Sequence, residues 1–142
     1  VKERDGRRFF AWSVDLEGRY DIYDEPPGSL QLLPFYGFCA MDDPVWKNTV
    51  AMIRDKDYPL SFAGHPIAEI GCKHAPHPWV LSICNSLLSG NADSALTHLR
   101  RTRMDNGLAC ESVNEDTGEC ETGAAFATCA GFLAYALWSA AR

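Results

Sequence analysis

The stretch Pro78-Trp79-Val80-Leu81-Ser82-Ile83-Cys84-Asn85-Ser86-Leu87-Leu88-Ser89-Gly90-Asn91-Ala92-Asp93-Ser94-Ala95-Leu96-Thr97-His98-Leu99 decides the fold class. Trp79, Ile83 and Leu87 fall in one row of a helix that Pro78 opens, where a missing N–H costs nothing. Gly90 ends that helix and Asn91 caps its neighbour, whose apolar stripe is Ala95, Leu96 and Leu99. Almost nothing joins the two, so they form an antiparallel helical hairpin. The second helix is expected to stop at Asn106-Gly107, with Arg100, Arg101 and Arg103 complementing the carbonyl end of its dipole.

Downstream, the polar stretch from Asp105 to Gly118 hands over to a long apolar pattern. Glu111 is its pivot: a carboxylate on a connection between packed helices is held by a rigid scaffold yet open to a ligand. The ordinary alternative is a solvated loop acid. The final helix is expected over Gly123 to Ala141. Phe126, Leu133 and Leu137 lie on one side of it, and Phe132, Tyr135 and Trp138 lie round the cylinder. A helix apolar nearly all round expects burial all round.

Upstream, Asp43-Pro44 is an N-cap acid followed by proline at the first helical position, and Val45, Trp46, Thr49, Val50 and Ile53 continue at helical spacing. Residues 57–76 have no period and contain several prolines and glycines, so they read as a long functional loop. Alternation in Phe10, Trp12 and Val14, then Tyr20 and Ile22 beyond Leu16-Glu17-Gly18, predicts a β-hairpin over Arg8 to Asp24. Asp24-Glu25-Pro26-Pro27-Gly28 is a rigid acidic turn, and Ser29 caps a short apolar segment reaching Cys39. The expected architecture is all-α with one small β-hairpin: residues 1–25 carry the hairpin and acidic turn, and residues 26–142 carry helical hairpins.

The 142 residues are 46% hydrophobic, enough for a core, and the formal net charge of -6 argues against nucleic acid or an anionic membrane as partner. No run reaches the roughly 18 apolar residues of a membrane span. The charged beginning, Val1-Lys2-Glu3-Arg4-Asp5, is no signal peptide and has no initiator Met; the chain reads as cut from something longer. The six cysteines, Cys39, Cys72, Cys84, Cys110, Cys120 and Cys129, are expected to be reduced, which implies a cytoplasmic location.

Three constellations bear on chemistry. Cys72-x-His74-x-x-His77 has zinc-donor types, but it lacks an evident fourth ligand and matches no familiar spacing, so neither a metal nor any other cofactor is expected. A Cys72–His74 nucleophile pair lacks an orienting group. The third is a set of acids, Asp15, Asp24, Glu25, Glu69 and Glu111, interleaved with Trp12, Tyr23, Tyr58, Phe62, His74 and Trp79. Acids that bond hydroxyls, with aromatic faces that stack on sugar rings, make a carbohydrate site.

Several short motifs occur in order along nearly the whole chain. They are Val14-Asp15 with Gly18; Tyr23-Asp24-Glu25 with Ser29-Leu30; Pro34-Phe35-Tyr36-Gly37-Phe38-Cys39 with Asp42-Asp43-Pro44-Val45; Phe62-Ala63-Gly64; Ile70-Gly71 with His74-Ala75-Pro76; Asn106-Gly107; and Cys110-Glu111-Ser112. In this order the chain resembles the C-terminal part of glycoside hydrolase family 125, the metal-independent exo-acting α-mannosidases of the six-hairpin (α/α)6 class. The resemblance implies that Glu111 is the general base of an inverting hydrolysis and that Asp24, Glu25 and His74 lie on segments lining the sugar pocket. Asp15 and Trp79 join them as substrate-binding candidates. The sequence departs from the family at Cys110, where a His is common, and at Asp24-Glu25, where a paired Asp is common. An inverting glycosidase needs a second carboxyl about 6.5–9.5 Å from the first, and the resemblance puts that acid upstream of Val1. The fragment alone is therefore expected to be inactive, to need the upstream part of the same polypeptide, and to self-associate. Two rivals are a phosphorylase or lyase on the same barrel and a non-catalytic carbohydrate-binding helical module.

Overall fold

In the computed structural model, which describes residues 1–104 and 107–142, helix α2 (Val80–Leu88) is the axis of the fold. Every residue from Val80 through Leu87 is buried, because neighbours cover it on all sides. Helix α3 (Ala92–Leu99) turns back after Ser89-Gly90-Asn91, with Gly90 at φ +86, and the expected helical hairpin is present. Helix α4 (Ala127–Ala140) packs on the same axis; Ile83, Cys84, Leu87, Ala95 and Ala136 form the shared core. Helix α1 (Pro44–Ile53) starts where Asp43 predicts, its carboxylate accepting from the N–H groups of Val45 at 2.7 Å and Trp46 at 3.1 Å.

Several boundaries differ from the sequence reading. Helix α2 begins at Val80, with Trp79 as the extended residue before it, and the Asn91 side chain makes no capping bond. Helix α3 ends at Leu99 with Arg100 as its C-cap; of the expected stop, Asn106 lies outside the described residues. Helix α4 begins four residues late, because Gly123 at φ +58 and Ala125 at φ +54 hold the preceding chain in a left-handed loop that no helix can include.

The all-α expectation with a single hairpin needs correction: among the described residues there are three two-stranded antiparallel hairpins. The first joins β1 (Lys2–Arg4) to β2 (Arg7–Phe9) through Asp5 at φ +51 and Gly6 at φ +73, the pair of left-handed residues a tight hairpin turn requires. The second, β3 (Ser13–Val14) with β4 (Tyr20–Asp21), is the expected one, but Val14 and Tyr20 remain exposed rather than forming a buried face. The third, β5 (Ser112–Val113) with β6 (Cys120–Thr122), occupies the stretch read as a plain polar loop after Glu111. Its turn is an Asx motif, the Asn114 side chain accepting from the N–H groups of Asp116 and Thr117.

Residues 57–76 carry little regular structure but are firmly anchored. Glu69 is buried among Arg54 Nη2 at 2.8 Å, His98 Nδ1 at 2.8 Å and the Ser82 hydroxyl at 2.7 Å. Burial opposes its ionisation, yet the Arg54 charge and the His98 and Ser82 hydrogen bonds win and hold its pKa at about 2. This ties the loop to α1, α2 and α3 at one point. Of the last helix only Cys129 and Ala136 are buried within this chain. Tyr135 and Trp138 face outward, and Tyr135 meets the exposed Phe35 edge-on at 6.1 Å. Cys39, Cys72, Cys84, Cys120 and Cys129 are free thiols, and no described helix is long and apolar enough to cross a membrane.

Candidate active site

Glu111 sits immediately before β5, and its backbone is clamped from two directions. Its carbonyl accepts from the N–H of Val80 at the head of α2, and its own N–H is shared between the carbonyls of Thr122 and Gly123, all at 3.0–3.1 Å. The chain returns so closely that a Cβ on Gly123 would lie 2.6 Å from the Glu111 Cβ. Only glycine fits, both for space and for its positive φ. The carboxylate is fixed as firmly: Thr122 Oγ1 donates to Glu111 Oε2 at 2.8 Å. Thr122 has one hydroxyl proton and spends it there, so Ser112 Oγ, 2.6 Å away, donates to Thr122 in turn. The other oxygen, Glu111 Oε1, turns toward His74 Nε2 at 3.9 Å, and the side chain keeps 18% exposure.

His74 stands on a tight turn closed by the Cys72 N–H on the Ala75 carbonyl, 3.2 Å, which leaves its ring largely exposed. The turn is pressed inward: a side chain on Gly71 would strike the His77 carbonyl at 2.8 Å. Around the His74 ring gather Glu25 Oε1 at 3.6 Å, Cys72 Sγ at 3.2 Å and the Trp79 ring, met edge-on at 5.2 Å. Tyr23 donates its hydroxyl to Glu25 Oε2. Burial and that carboxylate push the phenol's pKa up, and burial likewise raises the Cys72 thiol.

Of the candidates read from sequence, the structure brings Glu25, His74, Trp79 and Glu111 together. Trp79 is almost wholly buried and gives its Nε1–H to Ala75, so it supports the His74 turn and presents only an edge. Asp24 and Asp15 are committed elsewhere. The Asp24 carboxyl is sealed inside, accepting from Ser29 Oγ at 2.6 Å and Leu30 N at 2.7 Å, and burial pushes its pKa up to about 6. Asp15 closes the β3–β4 turn, accepting from the N–H groups of Glu17 and Arg19 at 2.9 Å and pairing with the Arg19 side chain. His77 leaves the Cys72–His74 group altogether and bonds Glu115 at 3.0 Å, stacked against Phe62. Sequence reasoning missed Thr122 and Ser112. Their signal is a short alternation on each side of Asn114 to Gly118, a turn composition that puts Thr122 opposite Ser112.

The comparisons with known proteins place the chain among the glycoside hydrolase families. It belongs to the family of metal-independent alpha-mannosidases (GH125), whose model matches residues 1–138. The meiotically up-regulated gene 157 protein of Schizosaccharomyces pombe is 32% identical over 115 residues, which is 75% of this chain and 23% of that protein. A solved metal-independent alpha-mannosidase of Streptococcus pneumoniae, in a non-productive complex with alpha-1,6-mannobiose, superposes with a TM-score of 0.81 at 21% identity, covering 99% of this chain and 34% of that one. The chain thus has the fold of one segment of that protein and spans about a third of its length or less in either relative.

Proposed function

We propose that this chain is the C-terminal portion of the catalytic domain of an inverting α-mannosidase, an exo-acting enzyme that works without metal on a terminal α-mannoside or related α-glycoside. In this reading the domain is a six-hairpin toroid to which the chain contributes its last helices. Glu111 is the general base. The observation that carries this role is the unequal treatment of its two oxygens: Thr122 engages Oε2, while Oε1 is left toward the open side beside His74. A carboxylate held in one rotamer, with one oxygen available, can align a water and take its proton as the water attacks the anomeric carbon.

Glu25 and His74 supply hydrogen bonds to sugar hydroxyls. Their positions are set from behind by Tyr23, Cys72 and Trp79, so a bound sugar ring meets groups already oriented. The general acid that protonates the leaving oxygen lies outside these residues, in the upstream part of the same polypeptide. The exposed aromatic surface of Phe35, Tyr36, Phe38, Tyr135 and Trp138 is where that part packs. Asp24 shapes the turn that carries Glu25, and Asp15 closes the β3–β4 turn.

Product stereochemistry tests the mechanism. Hydrolysis of an α-mannoside by the full-length protein, followed by proton NMR before mutarotation, is expected to give β-mannose first. Initial α-mannose would mean retention and would remove the water-activating role from Glu111. Turnover that depends on phosphate would instead favour a phosphorylase.

A further inference from the structure

A donor set for a borderline-soft metal lies around the His74 ring, and it is not the one the sequence suggested. One ligand atom each from Glu25, Cys72 and His74 can be chosen so that all three lie within 4.8 Å of one another. His77, third in the Cys72-x-His74-x-x-His77 spacing, points away to Glu115; Glu25, far off in sequence, takes its place. Two of the three separations suit a tetrahedral ion. Zn–S near 2.3 Å with Zn–N and Zn–O near 2.1 Å puts neighbouring ligand atoms about 3.3–3.6 Å apart. Cys72 Sγ lies 3.2 Å from His74 Nδ1, and His74 Nδ1 lies 3.6 Å from Glu25 Oε1.

The three ligands come from two rigid turns. Glu25 precedes Pro26-Pro27 and is held through its other oxygen by Tyr23, the outer-shell arrangement that fixes a ligating carboxylate. Cys72 is fully buried and fixed by the Cys72–Ala75 bridge, while His74 is exposed and can turn its ring onto an ion. We propose that Glu25, Cys72 and His74 form a zinc site.

Binding breaks the Cys72 S–H bond: sulfur keeps the electron pair and donates it to zinc, the proton goes to solvent, and no oxidation state changes. Three protein ligands leave a fourth position open. Glu111 Oε1 lies 3.9 Å from Nε2, the ring nitrogen of His74 that this ion does not use. The consequence rests on Glu25 and His74 holding sugar hydroxyls: the ion engages both side chains and takes them from the substrate. The chemistry needs no metal, and zinc inhibits it.

Zinc binding to the full-length protein, measured by competition with a chromophoric zinc indicator, tests the site separately from catalysis. One zinc per chain is expected. Cys72→Ser and His74→Ala should each weaken it by more than about 100-fold, beyond the loss of an outer-shell partner, and His77→Ala should leave it unchanged. Cobalt(II) in place of zinc should give a thiolate-to-metal charge-transfer band that Cys72→Ser removes. His74 is exposed, so His74→Ala stays informative even if replacing the buried Cys72 unfolds the protein. Equal affinity in wild type and His74→Ala, or no thiolate band with cobalt, would overturn the site. Zinc bound through these residues with hydrolysis undiminished would uphold the site and count against Glu25 and His74 as sugar ligands.

Discussion

Thr122 Oγ1 donates to Glu111 Oε2 at 2.8 Å, and through it the end of strand β6 sets the rotamer of the carboxylate that begins strand β5. Thr122→Val keeps the shape and removes the donor. In the full-length enzyme, kcat should fall about 10-fold, equivalent to roughly 1.4 kcal/mol of transition-state stabilisation. Thr122→Ser should restore most of it, because it returns the hydroxyl. A Val variant as active as wild type would mean that Glu111 needs no such orientation.

Gly123 bears on the same carboxylate sterically. In Gly123→Ala the new methyl would lie 2.6 Å from the Glu111 Cβ at a backbone φ of +58. Strain of this kind costs about 1–3 kcal/mol. Denaturant unfolding should register that loss, with activity falling further than stability because Glu111 is the atom group displaced. Unchanged unfolding and turnover would contradict the close approach.

Two buried carboxyls give opposite pH signatures. The Asp24 pKa is raised to about 6, so its contribution to stability is greatest below the ordinary carboxyl value and is lost as pH rises through about 6. The Glu69 pKa is depressed to about 2, so its contribution is present above the ordinary value near 4.5 and is lost as pH falls toward 2. Wild type should therefore gain stability relative to Asp24→Asn as pH falls from 7 to about 4, and Glu69→Gln should be strongly destabilised at neutral pH, by about 3–5 kcal/mol, for leaving Arg54 unpaired. Chemical unfolding across pH measures both. A wild-type minus Asp24→Asn difference that stays flat would show that Asp24 ionises normally.

The isolated 142 residues should show no glycosidase turnover and should self-associate, since Tyr36, Phe38 and Trp138 leave aromatic surface open to solvent, being 63%, 66% and 53% exposed. Sedimentation velocity and an α-mannosidase assay check this. A stable monodisperse monomer with hydrolytic activity would mean that neither the upstream acid nor the docking surface is needed.

The helices were legible where local chemistry and burial agree. Asp43-Pro44 specifies its own cap, and the Trp79, Ile83, Leu87 row marks the face of a helix that proves buried all round. Failures came where a contact distant in sequence overrides the local pattern. The apolar run from Gly123 looks helical from its first residue, but closure against Glu111 forces positive φ at Gly123 and Ala125 and delays α4 to Ala127. Asp5-Gly6 is a strong turn signal, hidden by a segment so charged that no strand pattern stands out beside it. At the site, residue type pointed to Glu25, His74 and Glu111, but it could not separate Glu25 from Asp24. Glu25 keeps a partly exposed side chain beside His74, whereas Asp24 is sealed inside, its carboxylate accepting from Ser29 and its N–H donating to Tyr58.

The central claim is that Glu111 activates water, and Glu111→Gln in the full-length enzyme tests it most directly. The amide is nearly isosteric and can still accept from Thr122, so folding should be preserved, as a thermal melt would confirm. It cannot take a proton from water, so turnover of an α-mannoside should fall roughly 10²–10⁴-fold. Added azide, a nucleophile that needs no base, should restore part of the rate. Turnover near wild type in a folded Glu111→Gln enzyme would contradict the account.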